Sequence, residues 1–309
     1  MLVTKEYSEF RIAPRTPVIG GTVEGCHLSE LSEQGKQELR EALWEYGVLF
    51  AANQHLSFDQ MKEVAHIYGE QLEEHTFAPT MAEEGHPEVV RIERLKGDQS
   101  KTTTDIWHHD VLARKHPTVM SILQAEEVPF GADTMWASMT AAYERMPTAL
   151  KQLYVNLDIE HDSLYLALRH DFGGSDITVE KLAKLAESAT HPAVITHHAT
   201  GKPCLFVGNG YVKRVSGYET EVSEYLIKLA NEYPKVPELQ VRHQWCKGDV
   251  AIWDNYGTAH YGVTADLGDK VRRLYRVAAW SKSIAPSVER EALVSELTVA
   301  LPQEQRGAA

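Results

Sequence analysis

The pattern of short strands and polar turns is clearest at residues 248–260, GDVAIWDNYGTAH. The apolar run VAIW is typical of a buried strand, and Asp254, Asn255 and Gly257 then supply a polar turn. His260 follows where the chain reverses. The stretch therefore predicts a sheet of short strands joined by tight turns, with His260 just beyond a strand end.

Similar β-rich runs lie on both sides of this stretch and dominate the chain from residue 87 onward. They are residues 88–95, 119–128, 193–198, 204–208, 239–245, 249–254 and 272–280. Short strands separated by Gly, Pro and Asp turns predict a sandwich or jelly roll. Strands do not alternate regularly with helices, and neither GxGxxG nor a P-loop is present, which disfavours a doubly wound α/β fold.

Helical patterns predict an outer layer around this β-rich part. In the N-terminal part a helix near residues 32–46 should end at Gly47, and residues 48–50 should form a buried strand. Ser57 and Gln60 fit a capping box that begins a second helix. Further helical patterns lie at residues 138–154, 178–188 and 219–232. We expect a mainly β protein with flanking helices.

The composition limits the class of protein. The chain has 309 residues, 43% hydrophobic and 24% charged, which is ordinary for a globular protein. Its net charge of −13 disfavours a nucleic acid or an anionic membrane as partner, but not a small anionic substrate. We find no internal repeat or low-complexity linker, so a single domain is expected over residues 1–309, with a disordered tail at about 303–309.

The cysteines and the N-terminus bear on location. Cys26, Cys204 and Cys246 are far apart, without CxxC or zinc-finger spacing, so neither a disulfide framework nor a thiolate metal site is expected. The N-terminus has no apolar signal region, and no stretch approaches the roughly 18 apolar residues that span a bilayer. We expect a soluble protein of the reducing cytoplasm.

A candidate metal site lies in residues 104–111, TDIWHHDV. On a strand, side chains at i and i+2 share a face, so His108 and Asp110 would point to one centre and His109 away from it. With a second histidine from elsewhere in the chain they would form a 2-His-1-carboxylate facial triad, which leaves one face of Fe(II) open for other ligands.

The His-x-Asp triplet alone is weak support. With 15 histidines in the chain, about one such match is expected by chance. A rival is His86-Pro87-Glu88, whose proline and GHPE context predict a turn rather than a strand, so we set it aside.

Residues 272–276, RRLYR, add a second signal. Strand alternation places Arg272, Leu274 and Arg276 on one face. An arginine turned into a barrel interior needs an anion, because an unpaired buried charge is strongly destabilising. A dicarboxylate would supply it, since guanidinium binds carboxylate bidentately.

Together these segments resemble the TauD/TfdA branch of Fe(II)/2-oxoglutarate dioxygenases, which includes taurine, alkylsulfatase and aryloxyalkanoate dioxygenases. The motifs that carry the resemblance are WHHD, GADTMW, WDNYGTAH and RRLYR. Their order and spacing make the resemblance specific, and it extends over nearly the whole chain, from VEGCHLSELS through THHATGKPCLFVGNGY to the RRLYR strand.

The resemblance implies a double-stranded β-helix (jelly roll), consistent with the pattern of short strands. It implies that His108, Asp110 and His260 bind Fe(II), with 2-oxoglutarate and O₂ as cosubstrates and succinate and CO₂ as products. An aspartate at 110, rather than alanine or glycine, argues against a halogenase.

The resemblance also implies roles around the metal. Arg276 would bind the distal 2-oxoglutarate carboxylate with help from the Thr134 hydroxyl, and Arg272 would lie near the C1 carboxylate. His75 falls where taurine-oxidising members contact the sulfonate, although a surface-loop histidine fits the sequence as well. Phe206 and Tyr211 fall in a segment that lines the substrate pocket, although Phe206 also fits a plain core position.

The leading hypothesis is therefore a dioxygenase that oxidises, most simply by hydroxylation, a small organic acid, sulfonate or sulfate ester. A desaturase or ring-forming oxidase acting on an amino-acid derivative would use the same cofactors. A zinc-type hydrolase could use the same ligands, but it gives Arg276 and Thr134 no role. A non-catalytic jelly-roll binding protein would make the histidines incidental. A homo-oligomer is compatible with the sequence.

Overall fold

The structure, a computed structural model, describes residues 1–75, 78–95, 104–169, 186–263 and 270–304. In these ranges the strands are β1 (Lys5–Glu6), β2 (Arg11–Pro14), β3 (Gly21–Glu24), β4 (Val48–Ala51), β5 (Gln71–Leu72), β6 (Thr80–Met81), β7 (His86–Arg94), β8 (Met120–Glu127), β9 (Thr134–Ser138), β10 (Asp158–Asp162), β11 (Ser188–Pro192), β12 (Val194–Thr196), β13 (Pro203–Leu205), β14 (Val212–Val215), β15 (Gln240–His243), β16 (Val250–Asp254), β17 (Thr258–Gly262) and β18 (Arg272–Trp280). The helices are α1 (Glu33–Tyr46), α2 (Phe58–His66), α3 (Met139–Glu144), α4 (Thr148–Val155), α5 (Ser163–Arg169), α6 (Thr220–Ala230) and α7 (Arg290–Glu304).

Two sheets organise the fold. The large sheet has the order β1-β2-β3-β4-β16-β8-β18-β7-β6, with β5 also paired to β18, and the small sheet has the order β15-β9-β17. In the described part of the chain β3 and β4 run parallel, whereas the other strand pairs are antiparallel. Strands β11-β10-β14 and the hairpin β12-β13 form further, smaller sheets. The fold is a jelly roll with flanking helices, as the sequence predicts.

The core forms layers because neighbouring strand residues face opposite sides of a sheet. On the outer face of the large sheet, Ile122 packs in one buried cluster with Leu43 of α1 and Val64 of α2. On its inner face, Leu123 and Trp136 of the small sheet share another cluster. The space between the sheets is therefore closed by large apolar side chains around the polar groups described below.

The N-terminal helices form for local reasons that are visible in the sequence. Helix α1 begins at Ser32, whose hydroxyl accepts from Gly35 N, and it ends at Gly47, which has a φ of 72°. Helix α2 begins with the expected capping box of Ser57 and Gln60. Both helices and the buried strand after Gly47 are confirmed.

Every strand expected from residue 87 onward is present within a few residues. The helical pattern at 138–154 forms two helices, α3 and α4, because Pro147 lies between them in an extended conformation. The pattern at 219–232 forms α6. Most of the pattern at 178–188 lies outside the described residues, and its last residue, Ser188, begins β11.

Two other expectations concern chain segments away from the core. The turn predicted at His86-Pro87-Glu88 is wrong, since His86 begins β7 and pairs with Met81. Pro87 is tolerated near the start of the strand, because β7 pairs with β18 only from Val90 onward. Of the tail expected at 303–309, residues 303 and 304 end α7 and the others lie outside the described residues.

Neither a cystine nor a membrane helix is found in the described ranges. Cys26, Cys204 and Cys246 all carry free thiols. Among the helices above, none combines the length and the apolar character that crossing a lipid bilayer requires.

Candidate active site

Three side chains that are distant in sequence meet between the two sheets. Ligand atoms of His108, Asp110 and His260 all lie within 4.8 Å of one another. The three residues are 9%, 7% and 8% exposed. In the described part of the chain, this is the only group of three or more His, Cys, Asp or Glu side chains with a spacing suitable for a metal ion.

Backbone pairing fixes the two histidines side by side. His108 N donates to His260 O at 3.0 Å, and His260 N donates to His108 O at 2.9 Å, so the segment carrying His108 is joined to β17 of the small sheet. The regular strand geometry assumed for His108 to Asp110 is not present, because pairing there is limited to isolated bridges at His108. After Asp110 the chain turns away, and Val111 has a positive φ of 42°.

The predicted alternation of side chains is nevertheless present. His108 and Asp110 face one centre, while His109 points the other way and packs edge-on against Phe206 with ring centroids 5.0 Å apart. His109 is fully buried, and neither ring nitrogen has a hydrogen-bond partner among the described residues. Burial, then the neighbouring His108, lowers the pKa of His109 to about 3, so its ring is neutral.

Hydrogen bonds orient the ligand atoms. His108 Nδ1 lies 2.7 Å from the carbonyl oxygen of Ile106, so Nδ1 carries the proton and Nε2 is left with its lone pair. Ser121 of β8 donates its hydroxyl to Asp110 Oδ2 at 2.7 Å. His260 Nε2 lies 3.7 Å from Asp110 Oδ1. Two imidazole nitrogens and one carboxylate oxygen thus face a common point.

The charge states suit metal coordination. Burial lowers the pKa of both His108 and His260 below the usual value, so both rings are neutral at pH 7. For Asp110, burial raises the pKa, but Arg276, His260 and His108 together lower it further, and the carboxyl group is ionised. A neutral imidazole and an ionised carboxylate are the forms that bind metals.

Asn255 fixes the backbone that carries Asp110, a role that was not predicted from the sequence. Its Oδ1 accepts from Asp110 N at 2.8 Å, and its Nδ2 donates to Asp110 O and Thr118 O, both at 2.9 Å. Asn255 is 0% exposed. The only signal in the sequence was its place in the polar turn of residues 254–257, which did not indicate a partner.

Arg276 is buried beside Asp110, and Glu73 lies on its other side. Arg276 Nη1 is 2.6 Å from Asp110 Oδ1, and Arg276 Nη2 is 3.2 Å from Glu73 Oε1. Glu73 Oε2 accepts from the Thr118 hydroxyl at 2.9 Å. Glu73 was not predicted as a site residue, because one glutamate in an acidic loop carries no distinguishing pattern.

Thr134 lies near Arg272, whereas the resemblance pairs it with Arg276. Arg272 Nη2 is 3.5 Å from Thr134 Oγ1, and Arg272 Nε is 3.4 Å from Ala132 O. Burial, and next the nearby Arg94, lowers the pKa of Arg272 to about 10. Arg272 and Arg276 are four residue steps apart, which is about 13 Å along β18.

The candidate substrate residues divide into two groups. His75 and Tyr211 lie near Arg276: His75 Nε2 is 4.0 Å from Glu73 Oε1, and burial together with the charge of Glu73 raises the pKa of Tyr211. Phe206 is fully buried in an apolar cluster that also includes Tyr211. This burial fits the alternative in which Phe206 is an ordinary core residue.

The chain is similar in sequence to known proteins. The chain is 34% identical over 281 residues to an alkylsulfatase of Acinetobacter baylyi, covering 87% of this chain and 84% of that one. It is 30% identical over 278 residues to an alpha-ketoglutarate-dependent sulfate ester dioxygenase of Pseudomonas putida, covering 87% and 89%.

The chain also resembles solved structures in its fold. A taurine dioxygenase from Burkholderia xenovorans superposes with a TM-score of 0.72 at 29% identity, covering 88% of this chain and 91% of that one. The family model described as "Taurine catabolism dioxygenase TauD, TfdA family" matches residues 11–278. With most of its length matched and the three candidate ligands brought together, the chain belongs to the TauD/TfdA family of dioxygenases.

Proposed function

We propose that this protein is an Fe(II)- and 2-oxoglutarate-dependent dioxygenase that oxidises a small organic sulfate ester or sulfonate. The observation that carries the proposal is the buried group of His108, Asp110 and His260, two neutral imidazoles and one carboxylate. The relatives named alkylsulfatase and sulfate ester dioxygenase support the substrate class. A relative of Schizosaccharomyces pombe, 28% identical, is named as a sulfonate dioxygenase and supports the second alternative.

The donor atoms fit Fe(II). Nε2 of His108, Nε2 of His260 and Oδ1 of Asp110 would bind it: the hydrogen bond from His108 Nδ1 leaves its Nε2 unprotonated, and His260 Nε2 lies 3.7 Å from Asp110 Oδ1. When bound, iron would bring together O₂, which is the oxidant, and its two electron donors: 2-oxoglutarate gives two electrons as it becomes succinate and CO₂, and the substrate gives the other two. The chain itself contributes binding, orientation and exclusion of water.

We assign the distal carboxylate of 2-oxoglutarate to Arg272 and Thr134, reversing the two arginines relative to the initial expectation. In the small sheet His260 pairs with Trp136 and Gly262 pairs with Thr134, so Thr134 lies two residues, about 7 Å, along the same face from the metal ligand. A five-carbon dicarboxylate held at the metal by one end would reach this point with its other end.

The hydrogen bonds of Thr134 support this assignment. Trp245 Nε1 donates to Thr134 Oγ1 at 3.0 Å, and Arg272 approaches the same oxygen. With its lone pairs used in this way, the hydroxyl keeps its proton for an acceptor such as a carboxylate. The hydrogen-bond acceptors of Arg272 in the described residues are neutral, so an incoming anion would stabilise this partly buried cation.

Arg276 would then act at the metal end of the pocket. Because Arg276 contacts Asp110 directly, its guanidinium can bind either the metal-bound end of the cosubstrate or the anionic group of the substrate. His75 and Tyr211 lie on the same side and would complete an anion-binding surface. Trp253, with its ring centroid 4.9 Å from that of His260, helps to keep water out.

The other candidate functions account for fewer features. A zinc hydrolase with the same ligands gives no role to Arg272 and Thr134, and a non-catalytic protein gives none to the oriented ligand atoms. A desaturase or ring-forming oxidase finds no support in the names of the two relatives described above. We also keep the expectation of a reducing cytoplasm, which rests on the free thiols.

The test is an anaerobic titration of the Fe(II)-loaded protein with 2-oxoglutarate, followed by oxygen. We expect a charge-transfer absorption on binding, and succinate release stimulated by alkyl sulfates or alkyl sulfonates. Asp110→Ala should lose both signals. Product formation without O₂ or 2-oxoglutarate would overturn the proposal in favour of a hydrolase.

A further inference from the structure

The Arg276 guanidinium is held between two carboxylates. One terminal nitrogen contacts Asp110 Oδ1 at 2.6 Å and the other contacts Glu73 Oε1 at 3.2 Å. The remaining nitrogen, Nε, is buried without a hydrogen-bond partner in the described residues. The position of Arg276 therefore depends on these two acidic side chains.

Asp110 cannot serve Arg276 and a metal ion equally well. The oxygen that contacts Arg276 is Oδ1, which is also the oxygen nearest His260 Nε2, at 3.7 Å. The other oxygen, Oδ2, accepts from Ser121. A metal ion at the three-residue group would thus compete with Arg276 for Oδ1, and it would also repel the guanidinium. A buried arginine that loses its only counter-charge is strongly destabilised.

Glu73 is placed to remain as the partner of Arg276. Its side chain is 2% exposed, and its Oε2 is fixed by the Thr118 hydroxyl. Its backbone N donates to Ala278 O at 2.9 Å, on β18 two residues from Arg276. Because the backbone of Glu73 is bonded to β18 and its carboxylate to Thr118, just before β8, the pair can persist when Asp110 coordinates a metal.

We propose that Glu73 is a positioning residue for metal loading: it retains the Arg276 guanidinium so that Asp110 is released to the metal ion. The inference rests on the proposed function, since it presupposes a metal at His108, Asp110 and His260. Without the carboxylate at position 73, Asp110 would be the one remaining counter-charge of Arg276 among the described residues. Metal binding to Asp110 would then have to break that ion pair. Glu73 thus makes metal binding more favourable, although it does not contact the metal.

The test measures Mn(II) affinity by electron paramagnetic resonance, with neither 2-oxoglutarate nor substrate present. The variants are Glu73→Gln, which keeps the shape but removes the charge, and Thr118→Val, which keeps the charge but removes the hydrogen bond that fixes it. Glu74→Gln is the matched control, because Glu74 is the exposed neighbour and the change in net charge is the same. Circular dichroism establishes that each variant is folded.

We expect Glu73→Gln to weaken Mn(II) binding about tenfold, Thr118→Val to weaken it less, and Glu74→Gln to leave it unchanged. Equal Mn(II) affinity in folded Glu73→Gln and wild type would overturn the inference while leaving the proposed function intact. Equal loss in Glu74→Gln would overturn it too, since that would show a general effect of charge. Failure of the wild-type protein to bind Mn(II) would instead refute the proposed metal site itself. If Glu73→Gln does not fold, Thr118→Val decides, and unchanged affinity in that variant counts against the inference.

Discussion

Replacing Asn255 tests whether metal binding by Asp110 depends on the hydrogen bonds through which Asn255 holds the backbone of Asp110. Asn255→Ala removes one acceptor and two donor contacts, made to Asp110 N, Asp110 O and Thr118 O at 2.8, 2.9 and 2.9 Å. All three partners are buried, and each buried polar group left unpaired costs about 1–3 kcal/mol. Water entering the truncated space offsets part of this loss, so we expect about 3–4 kcal/mol of destabilisation in total.

For a chain of 309 residues, about 1 kcal/mol shifts the melting temperature by roughly 1.5–2 °C, so Asn255→Ala should melt about 6 °C below wild type. The metal affinity should fall about 10- to 100-fold, as is usual when a ligand loses its supporting hydrogen bonds. Thermal unfolding of the metal-free protein and Mn(II) binding by electron paramagnetic resonance measure the two effects separately.

Asn231→Ala provides the matched control. Asn231 is also a buried asparagine, but its Nδ2 donates to Ile227 O at the end of α6, within one helix turn. We expect this variant to lose about 1 kcal/mol and to keep its Mn(II) affinity. If Asn255→Ala melts within 2 °C of wild type and binds Mn(II) normally, the hydrogen bonds of Asn255 have no role in the site and our reasoning is refuted.

Three further predictions concern the cosubstrate, the second histidine of the motif and pH. Arg272→Ala should raise the dissociation constant of 2-oxoglutarate about 100-fold in an anaerobic titration, whereas Arg273→Ala, whose side chain pairs with Glu93, should not change it; equal affinities in both variants would contradict the assignment. His109→Phe should keep its Mn(II) affinity and melt within about 3 °C of wild type, because no described group bonds to the ring nitrogens; loss of metal would make His109 a ligand. Burial lowers the pKa of His109 to about 3 and that of His198 and His243 to about 4, so below about pH 6.5 the unfolded chain binds more protons than the folded one. The metal-free protein should therefore lose stability as the pH falls from 6.5 to 4, and a constant melting temperature over that range would contradict this.

The features predicted correctly from the sequence are those with a local physical signal. The capping box at Ser57 and Gln60 is encoded within four residues, and the strands follow from apolar runs bounded by turns. The alternation of His108, His109 and Asp110 also follows from local backbone geometry, even though the regular strand is missing there. These signals predicted a sandwich or jelly roll and placed His108 and Asp110 on one face, whereas the full set of three ligands followed from the family resemblance.

The missed features depend on contacts between distant parts of the chain. Asn255 bonds to a residue 145 positions away, and Glu73 bonds to Arg276 across 203 positions, so neither contact has a local pattern. The alternation placed Arg272 and Arg276 on one face but could not tell which lies nearer to the metal. The pairing of β18 with β8 decides that, and it contains an irregularity between Arg273 and Leu274.

The attachment of the candidate ligands to both sheets has a consequence for handling the enzyme. His108 is bridged to β17 of the small sheet, and Asp110 is bonded through Ser121 to β8 of the large one. An ion bound by both would link the halves of the sandwich, so that separating them and releasing the ion become a single thermodynamic event. Free metal at 100 times its dissociation constant would then add about 2.7 kcal/mol to the stability of the whole domain. Chelators should accordingly sensitise the protein to heat and proteolysis as well as remove its activity.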